Sequence, residues 1–152
     1  MNAAPPTSDE PAATNAAMTR TRDATALNTF LALDYGQKRT GVAVGNRLLG
    51  TAQPQGTIEA EGQMRFPKIA HYLKEWQPDA LVVGVPYHPD GQAHGNTERA
   101  LRFARQLRGR FQLPVFEVDE RYSTTEAHSR GTRDADAGAA CIILEQFLRE
   151  LR

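Results

Sequence analysis

An aspartate lies within an apolar stretch, LALDYGQKRTGVAVG at residues 31–45, just before a turn that carries Lys38 and Arg39. A carboxylate at the end of a buried strand is costly unless it has a partner. One interpretation is that Asp34 only caps the hairpin turn through nearby backbone amides. The other is a functional site, which would need further acids close to Asp34.

The segment VFEVDERYSTTEA supplies a second acid, Glu120. Alternation along a strand places Phe116, Val118 and Glu120 on one face, with the two preceding acids on the other. Glu120 is therefore the acid expected to point inward. The alternative is a salt bridge to Arg121 or to a basic residue of the hairpin, which is common for an acid at a strand end.

The C-terminal helix supplies a third acid. Its apolar stripe includes Ala140, Ile143 and Phe147, and the residue four positions before Ala140 is Asp136. Helical rotation therefore directs Asp136 toward the sheet and Asp134 toward solvent. The alternative for Asp136 is a helix N-cap, a position that favours aspartate without any chemistry.

Three acids at element ends on one side of a sheet would repel each other unless cations neutralised them. Oxygen ligands suit hard ions such as Mg²⁺ or Mn²⁺, and the four histidines show no metal-ligand spacing. Two ions about 4 Å apart are a common device for in-line displacement at a phosphodiester. We therefore predict a two-ion site on Asp34, Glu120 and Asp136.

The elements that would position these acids follow from periodicity. We predict three antiparallel strands in TFLALDYG, TGVAVGN and LLGTAQPQGTI, a helix in GQMRFPKIAHYLKEW ending at Gln77-Pro78, a buried parallel strand in ALVVGVP, a helix from about Asn96 that breaks near Gly109, a strand in LPVFEVDE, and a C-terminal helix. The order βββαβαβα predicts an α/β fold with a mixed five-stranded sheet flanked by helices.

Composition limits the classes of protein. Residues 1–28 have few large apolar side chains and are predicted to be a disordered tail, leaving one domain at residues 29–152. Basic and acidic residues number 18 each, so no bulk field favours nucleic acid or membrane.

The single cysteine, Cys141, is predicted to be a buried apolar side chain. The sequence shows no apolar run long enough for a membrane span and no secretory signal pattern, so we expect a soluble cytoplasmic protein.

Four segments together resemble one known family: LALDYGQKRTGVAVG, LVVGVPYHPDG, VFEVDERYSTTEA and DAGAACIILEQFL. They resemble the YqgF family, also called RuvX, of pre-16S ribosomal RNA nucleases, and the similarity runs from about Phe30 to Leu148. The resemblance implies an RNase H-like domain related to the RuvC Holliday junction resolvases. It also implies metal-dependent cleavage of a structured nucleic acid.

Carried over residue by residue, the family's first-strand aspartate, the glutamate of its D-E-R motif and its last-helix aspartate fall on Asp34, Glu120 and Asp136. These are the same acids that periodicity selects. They are the expected catalytic residues and metal ligands.

The family's hairpin K-R pair falls on Lys38 and Arg39, which implies contacts with phosphates, although a solvated turn pair is the alternative. Arg121 is expected either to bind the scissile phosphate or to orient Glu120. Two departures stand out. Only HSRGTRDA separates STTEA from the last aspartate, a shorter segment than in many relatives, and Asn46 replaces a frequent acid.

Other functions are compatible with parts of this pattern. A DxG turn before a glycine-bearing strand also resembles the phosphate hairpin of actin-like ATPases, but one domain cannot close around ATP. A non-catalytic factor that binds RNA or the transcription machinery is a second alternative, and a resolvase acting on four-way DNA junctions is a third. We expect structured RNA rather than a DNA junction as substrate, ribosomal precursor particles as partners, no membrane, and a monomer or weak dimer.

Overall fold

The computed structural model describes residues 27–120 and 134–151. These residues form five strands and three α-helices in this order: β1 Thr29–Asp34, β2 Arg39–Asn46, β3 Ala52–Glu59, α1 Arg65–Trp76, β4 Ala80–Val85, α2 Gly95–Phe111, β5 Val115–Asp119 and α3 Ala135–Glu150. A short 3₁₀ turn at Gly62–Met64 leads into α1. The predicted order βββαβαβα is confirmed.

The strands form one mixed sheet in the order β3-β2-β1-β4-β5. β1 runs antiparallel to β2 and parallel to β4, and β5 is parallel to β4. This register places Asp34 directly between Gly41 of β2 and Gly84 of β4. The end of β1 is therefore an interior position of the sheet.

Helices cover both faces of the sheet. α3 packs on one face, where Phe30 meets Phe147 edge-to-face with ring centroids 5.1 Å apart. α1 and α2 cover the other face, where Phe66 and Phe103 lie against the same core as Leu33. Successive residues of β1 thus point into alternate layers, and Asp34 continues the α3 side after Phe30 and Ala32. Cys141 is buried in this α3 layer, as predicted.

Two predicted boundaries are wrong. α2 continues past Gly109 to Phe111, because one interior glycine costs only about 1 kcal/mol and the last turn is held by packing. Phe111 packs on the core, and the Arg110 guanidinium lies 4.2 Å from the centre of the Phe66 ring. The helix ends at Gln112, which adopts the left-handed conformation.

The third strand was predicted to begin at Leu48 but begins at Ala52. The side-chain oxygen of Asn46 accepts hydrogen bonds from the backbone amides of Leu48 (2.7 Å) and Leu49 (3.3 Å), which fixes a turn instead. Asn46 pairs with Thr29, at the opposite end of β1 from Asp34. Its replacement of an acid therefore leaves the carboxylate region untouched.

Leu27 and Asn28, which precede β1, contact the rest of the domain. Leu27 packs against the core beneath α3, and the backbone amide of Asn28 donates to an oxygen of Asp79 at 3.0 Å. The remainder of the predicted tail lies outside the described residues. Among the helices that the structure describes, none is both long and apolar enough to cross a bilayer.

Candidate active site

Asp34 lies between two glycines of the neighbouring strands, and a Cβ on either of them would collide with α3. An ideal Cβ on Gly41 would stand 1.9 Å from the carbonyl oxygen of Asp136, and one on Gly84 would stand 2.4 Å from Cδ1 of Ile143. The absent side chains allow the first turns of α3 to lie directly against the sheet. As a result, the backbone of Asp136 lies against the strand next to Asp34.

Glu120 follows the end of β5 and meets Asp34. Glu120 lies on the predicted face of the strand, because Phe116 and Val118, which share that face, both lie in the core beneath α3. Its side chain shares a hydrogen bond with the Asp34 carboxyl. Two carboxyl groups can share a hydrogen bond only if one of them carries a proton.

Burial raises the pKa of Asp34 well above its usual value, and the charge of Glu120, the hydrogen bond with Glu120 and the charge of Asp136 raise it further. Burial also raises the pKa of Glu120, with the Asp34 hydrogen bond opposing the shift and the charge of Asp119 adding to it. A buried pair of acids that resists full ionisation marks a candidate functional site.

Asp136 lies in the first turn of α3, where its carboxylate forms an ion pair with Arg39 (Nε to Oδ2, 3.1 Å). Its charge still acts on Asp34. Within residues 27–120 and 134–151, no three ligating side chains stand close enough together to hold a metal ion. Two of the three predicted ligands therefore meet directly, and the third is engaged by an arginine.

Asp134 does not point toward solvent as predicted. It is the N-cap of α3, accepting from the backbone amide of Ala137 at 3.0 Å, and the hydroxyl of Thr57 on β3 donates to it at 2.6 Å. Burial alone would raise its pKa, but these hydrogen bonds and the charge of Arg39 lower it overall. Asp134 is therefore the N-cap of α3, which begins at Ala135, and the capping role considered for Asp136 belongs to the residue two positions earlier.

A buried arginine that sequence reasoning missed holds the turn between β1 and β2. The Arg65 guanidinium, only 2% exposed, donates to the carbonyl oxygens of Gly36 and Gln37, both at 2.8 Å, and to the hydroxyl of Thr40 at 2.9 Å. It also lies 4.7 Å from the centre of the Tyr35 ring. The turn that leads to Lys38 and Arg39 is thus fixed from α1.

Lys38 and Arg39 are both exposed at this turn. Arg39 reaches Asp136, whereas Lys38 borders a shallow surface depression shared with Lys68. Arg121, the third predicted substrate-binding residue, lies outside the described residues, as does the short segment before Asp134.

The carboxylate pair opens into a cleft of about 530 Å³. One wall is the turn at residues 35–37, and the other is the loop that follows β4 and the start of α2. Glu120, Asp34 and Ala139 of α3 border it. The site is therefore a pair of partly buried acids at the rim of a solvent-accessible cleft. Lys38 and Arg39 border a separate depression, and Arg39 is linked to the site through Asp136.

Comparison with known proteins identifies the family to which the chain is similar. The RuvX family model, described as a Holliday junction resolvase, matches residues 28–150. A protein of Albidiferax ferrireducens named "Putative pre-16S rRNA nuclease" is 80% identical over 125 residues, covering 82% of this chain and 80% of its own. A protein of the same name from a Polaromonas species is 66% identical, covering 82% and 91% of the two chains.

Among solved structures, RuvC of Thermus thermophilus in complex with a Holliday junction superposes with a TM-score of 0.54 at 14% identity, covering 80% of this chain and 95% of RuvC. At that identity the likeness shows the fold alone, and it confirms the predicted RNase H-like architecture. The family match extends over almost all of the described residues, including the three acids. This chain belongs to the RuvX family.

Proposed function

We propose that this chain is a divalent-metal-dependent nuclease that processes the 5′ end of pre-16S ribosomal RNA in the cytoplasm. The observation that carries the proposal is the Asp34–Glu120 carboxyl pair, held together by a hydrogen bond at the rim of a cleft with Asp136 nearby. Relatives of high identity named for this activity support the choice of substrate.

The donor set suits Mg²⁺ or Mn²⁺. Asp34 and Glu120 are oxygen donors whose pKa values are both raised by burial, and a bound cation would relieve the repulsion between these acids. Asp136 would complete the set of metal ligands if its carboxylate released Arg39 and bound the metal instead. A pair of such ions would supply an activated water and neutralise charge on the phosphate.

The chain's own residues would do the rest. Lys38 and Arg39 lie on the turn beside Asp34, where they would hold phosphate oxygens of the substrate. If Arg39 moved from Asp136 to a phosphate, it would keep an anionic partner, and Asp136 would gain the metal, so neither charge would be left unpaired. Arg65 would keep the turn in place during this exchange, because its hydrogen bonds are to backbone carbonyls that substrate does not need.

A precursor ribosomal particle is the partner that fits a neutral chain best. Lysine plus arginine equals aspartate plus glutamate, so general attraction to nucleic acid is weak and a folded ribonucleoprotein would have to supply additional contacts. We propose that the chain acts as a monomer or weak dimer. The description of its family as a resolvase makes a four-way DNA junction the second candidate substrate.

The proposal is tested by Mn²⁺-dependent cleavage of three substrates: an RNA containing the precursor 5′ end, a short unstructured RNA and a four-way DNA junction. We expect cleavage of the precursor RNA that EDTA abolishes. Preferential cleavage of the junction would assign the resolvase function instead, and binding without cleavage of any substrate would indicate a non-catalytic factor.

A matched pair of variants isolates the site. Glu120→Gln removes one carboxylate of the pair, while Glu117→Gln alters an exposed acid three residues earlier that pairs with Arg108. We expect the first to abolish cleavage and Mn²⁺-induced thermal stabilisation, and the second to preserve both. Equal behaviour of the two variants would contradict the metal site.

A further inference from the structure

We propose that the cleft beside Asp34 and Glu120 is a subsite for one unpaired nucleobase, which stacks on Tyr87. This inference rests on the proposed nuclease function and specifies its substrate as a single-stranded segment at the point of cleavage. The cleft measures about 530 Å³, within the range of roughly 300–1,000 Å³ typical of small-molecule sites. The carboxylate pair lies at the rim of this cleft, so a nucleotide bound in the cleft would have its phosphate next to the acids.

The wall formed by the β1–β2 turn is rigid before substrate arrives. Arg65 holds the carbonyl oxygens of Gly36 and Gln37, and the Tyr35 ring packs against Phe103 with centroids 5.0 Å apart. Because this wall is already ordered, little conformational entropy would be lost when a base enters.

The opposite wall is the loop that begins at Pro86, and it is equally well held. The hydroxyl of Thr97 donates to the carbonyl oxygen of Pro86, and the His88 amide donates to the carbonyl oxygen of Gln92 at 2.9 Å. Tyr87 lies between these anchors, packed partly on the core and partly exposed in the cleft. An aromatic side chain that is partly exposed in a cleft is suited to stacking against a base.

Asn96 adds a polar group to the same cleft. The Arg99 guanidinium donates to its side-chain oxygen at 3.0 Å, so the amide nitrogen is left as a hydrogen-bond donor. Ring nitrogens and carbonyl oxygens of nucleobases accept hydrogen bonds from such a donor. The cleft thus combines a flat aromatic surface, a polar donor and a neighbouring acid pair.

A base can enter this cleft only if it has left its own helix. A duplex keeps its bases stacked and paired, and extracting one costs a few kcal/mol. We therefore expect the chain to prefer an unpaired nucleotide at the cleavage point, even within a folded precursor.

The test measures binding in EDTA, so it is independent of cleavage. The probes are a fluorescent five-nucleotide RNA in which every base is missing and the same strand carrying a single adenine. Stacking of one base is worth about 5- to 150-fold in affinity, and we expect the adenine to improve binding of the full chain by a factor in that range. A gain below about twofold would overturn the proposal, because that is too small for a stacked base.

Three variants assign the gain to Tyr87. Tyr87→Leu keeps apolar bulk on the core but removes the flat ring and should lose the gain, whereas Tyr87→Phe should keep it. Tyr72→Leu is the control, since Tyr72 lies on α1 in the separate groove beside β3. A full gain in Tyr87→Leu would overturn the proposal. If the gain depends on Tyr87 but no metal-dependent cleavage is found, the nuclease function fails while the base subsite stands.

Discussion

Gly41 gives the most direct test of how the fold positions the carboxylates. In Gly41→Ala the new Cβ would stand 1.9 Å from the carbonyl oxygen of Asp136, whereas real Cβ atoms essentially never approach a heavy atom within 3.0 Å. The contact is with backbone, so no side-chain rotation relieves it. The strand and the start of α3 must separate by at least 1.1 Å, the difference between 3.0 Å and 1.9 Å.

That displacement moves Asp136 away from Asp34 and Glu120. A misplacement of about 1 Å at a catalytic group can cost on the order of 100-fold in rate. Overpacking of a well-ordered contact typically costs about 1–3 kcal/mol of unfolding free energy. We therefore expect Gly41→Ala to fold with a lowered melting temperature and to cleave RNA at about 1% of the normal rate.

The assay is the Mn²⁺-dependent cleavage rate, measured well below the melting temperature of the variant. Gly109→Ala is the control: nothing lies within 4 Å of the position its new Cβ would take, so it should keep full activity and gain stability through helix propensity. Cleavage by Gly41→Ala within about threefold of normal would refute the reasoning, because it would mean that the position of Asp136 does not limit the reaction.

The acid pair, the basic turn and the N-terminal segment each give a further prediction. Because the folded-state pKa of Asp34 is raised, its contribution to stability is present in acid and is lost as the pH rises through the folded-state pKa. Asp34→Asn should therefore abolish cleavage, and in EDTA it should raise the melting temperature at neutral pH but not in acid. Mn²⁺ stabilisation that survives in this variant would contradict the metal site. Replacing Lys38 and Arg39 by alanine should raise the apparent KM and flatten its salt dependence, whereas a fall in kcat alone would place them among the catalytic groups. Deleting residues 1–26, which stops short of the packed Leu27, should leave the melting temperature within about two degrees, and a large loss would show that the segment packs on the domain.

Much of the fold could be predicted because its signals are local. A strand shows alternation or a short apolar run, and a helix shows its stripe over a few turns, so the element order needed only neighbouring residues. The inward direction of Glu120 followed from the same short-range pattern. The extension of α2 beyond Gly109 was missed because packing of Phe111 on the core outweighs the local propensity of glycine.

Short-range sequence patterns predict only part of the candidate site. The three acids could be selected, but the pairing of Asp136 with Arg39 depends on which helix start touches which strand. Helical rotation predicts that Asp134 faces solvent, because it does not reveal that Thr57 of the edge strand reaches the cap.

Local patterns along the chain are enough to predict the order of strands and helices and the charged residue types at their ends. How these ends meet depends on the packing of the whole fold. Arg65 lies 29 residues from Gly36, and no spacing rule connects the two. Its burial is possible because the hairpin turn offers carbonyl oxygens to the guanidinium, which offsets the cost of removing a cation from water. Contacts of this kind depend on the register of the sheet and the packing of helices on it, and both are set by the whole core rather than by any one segment.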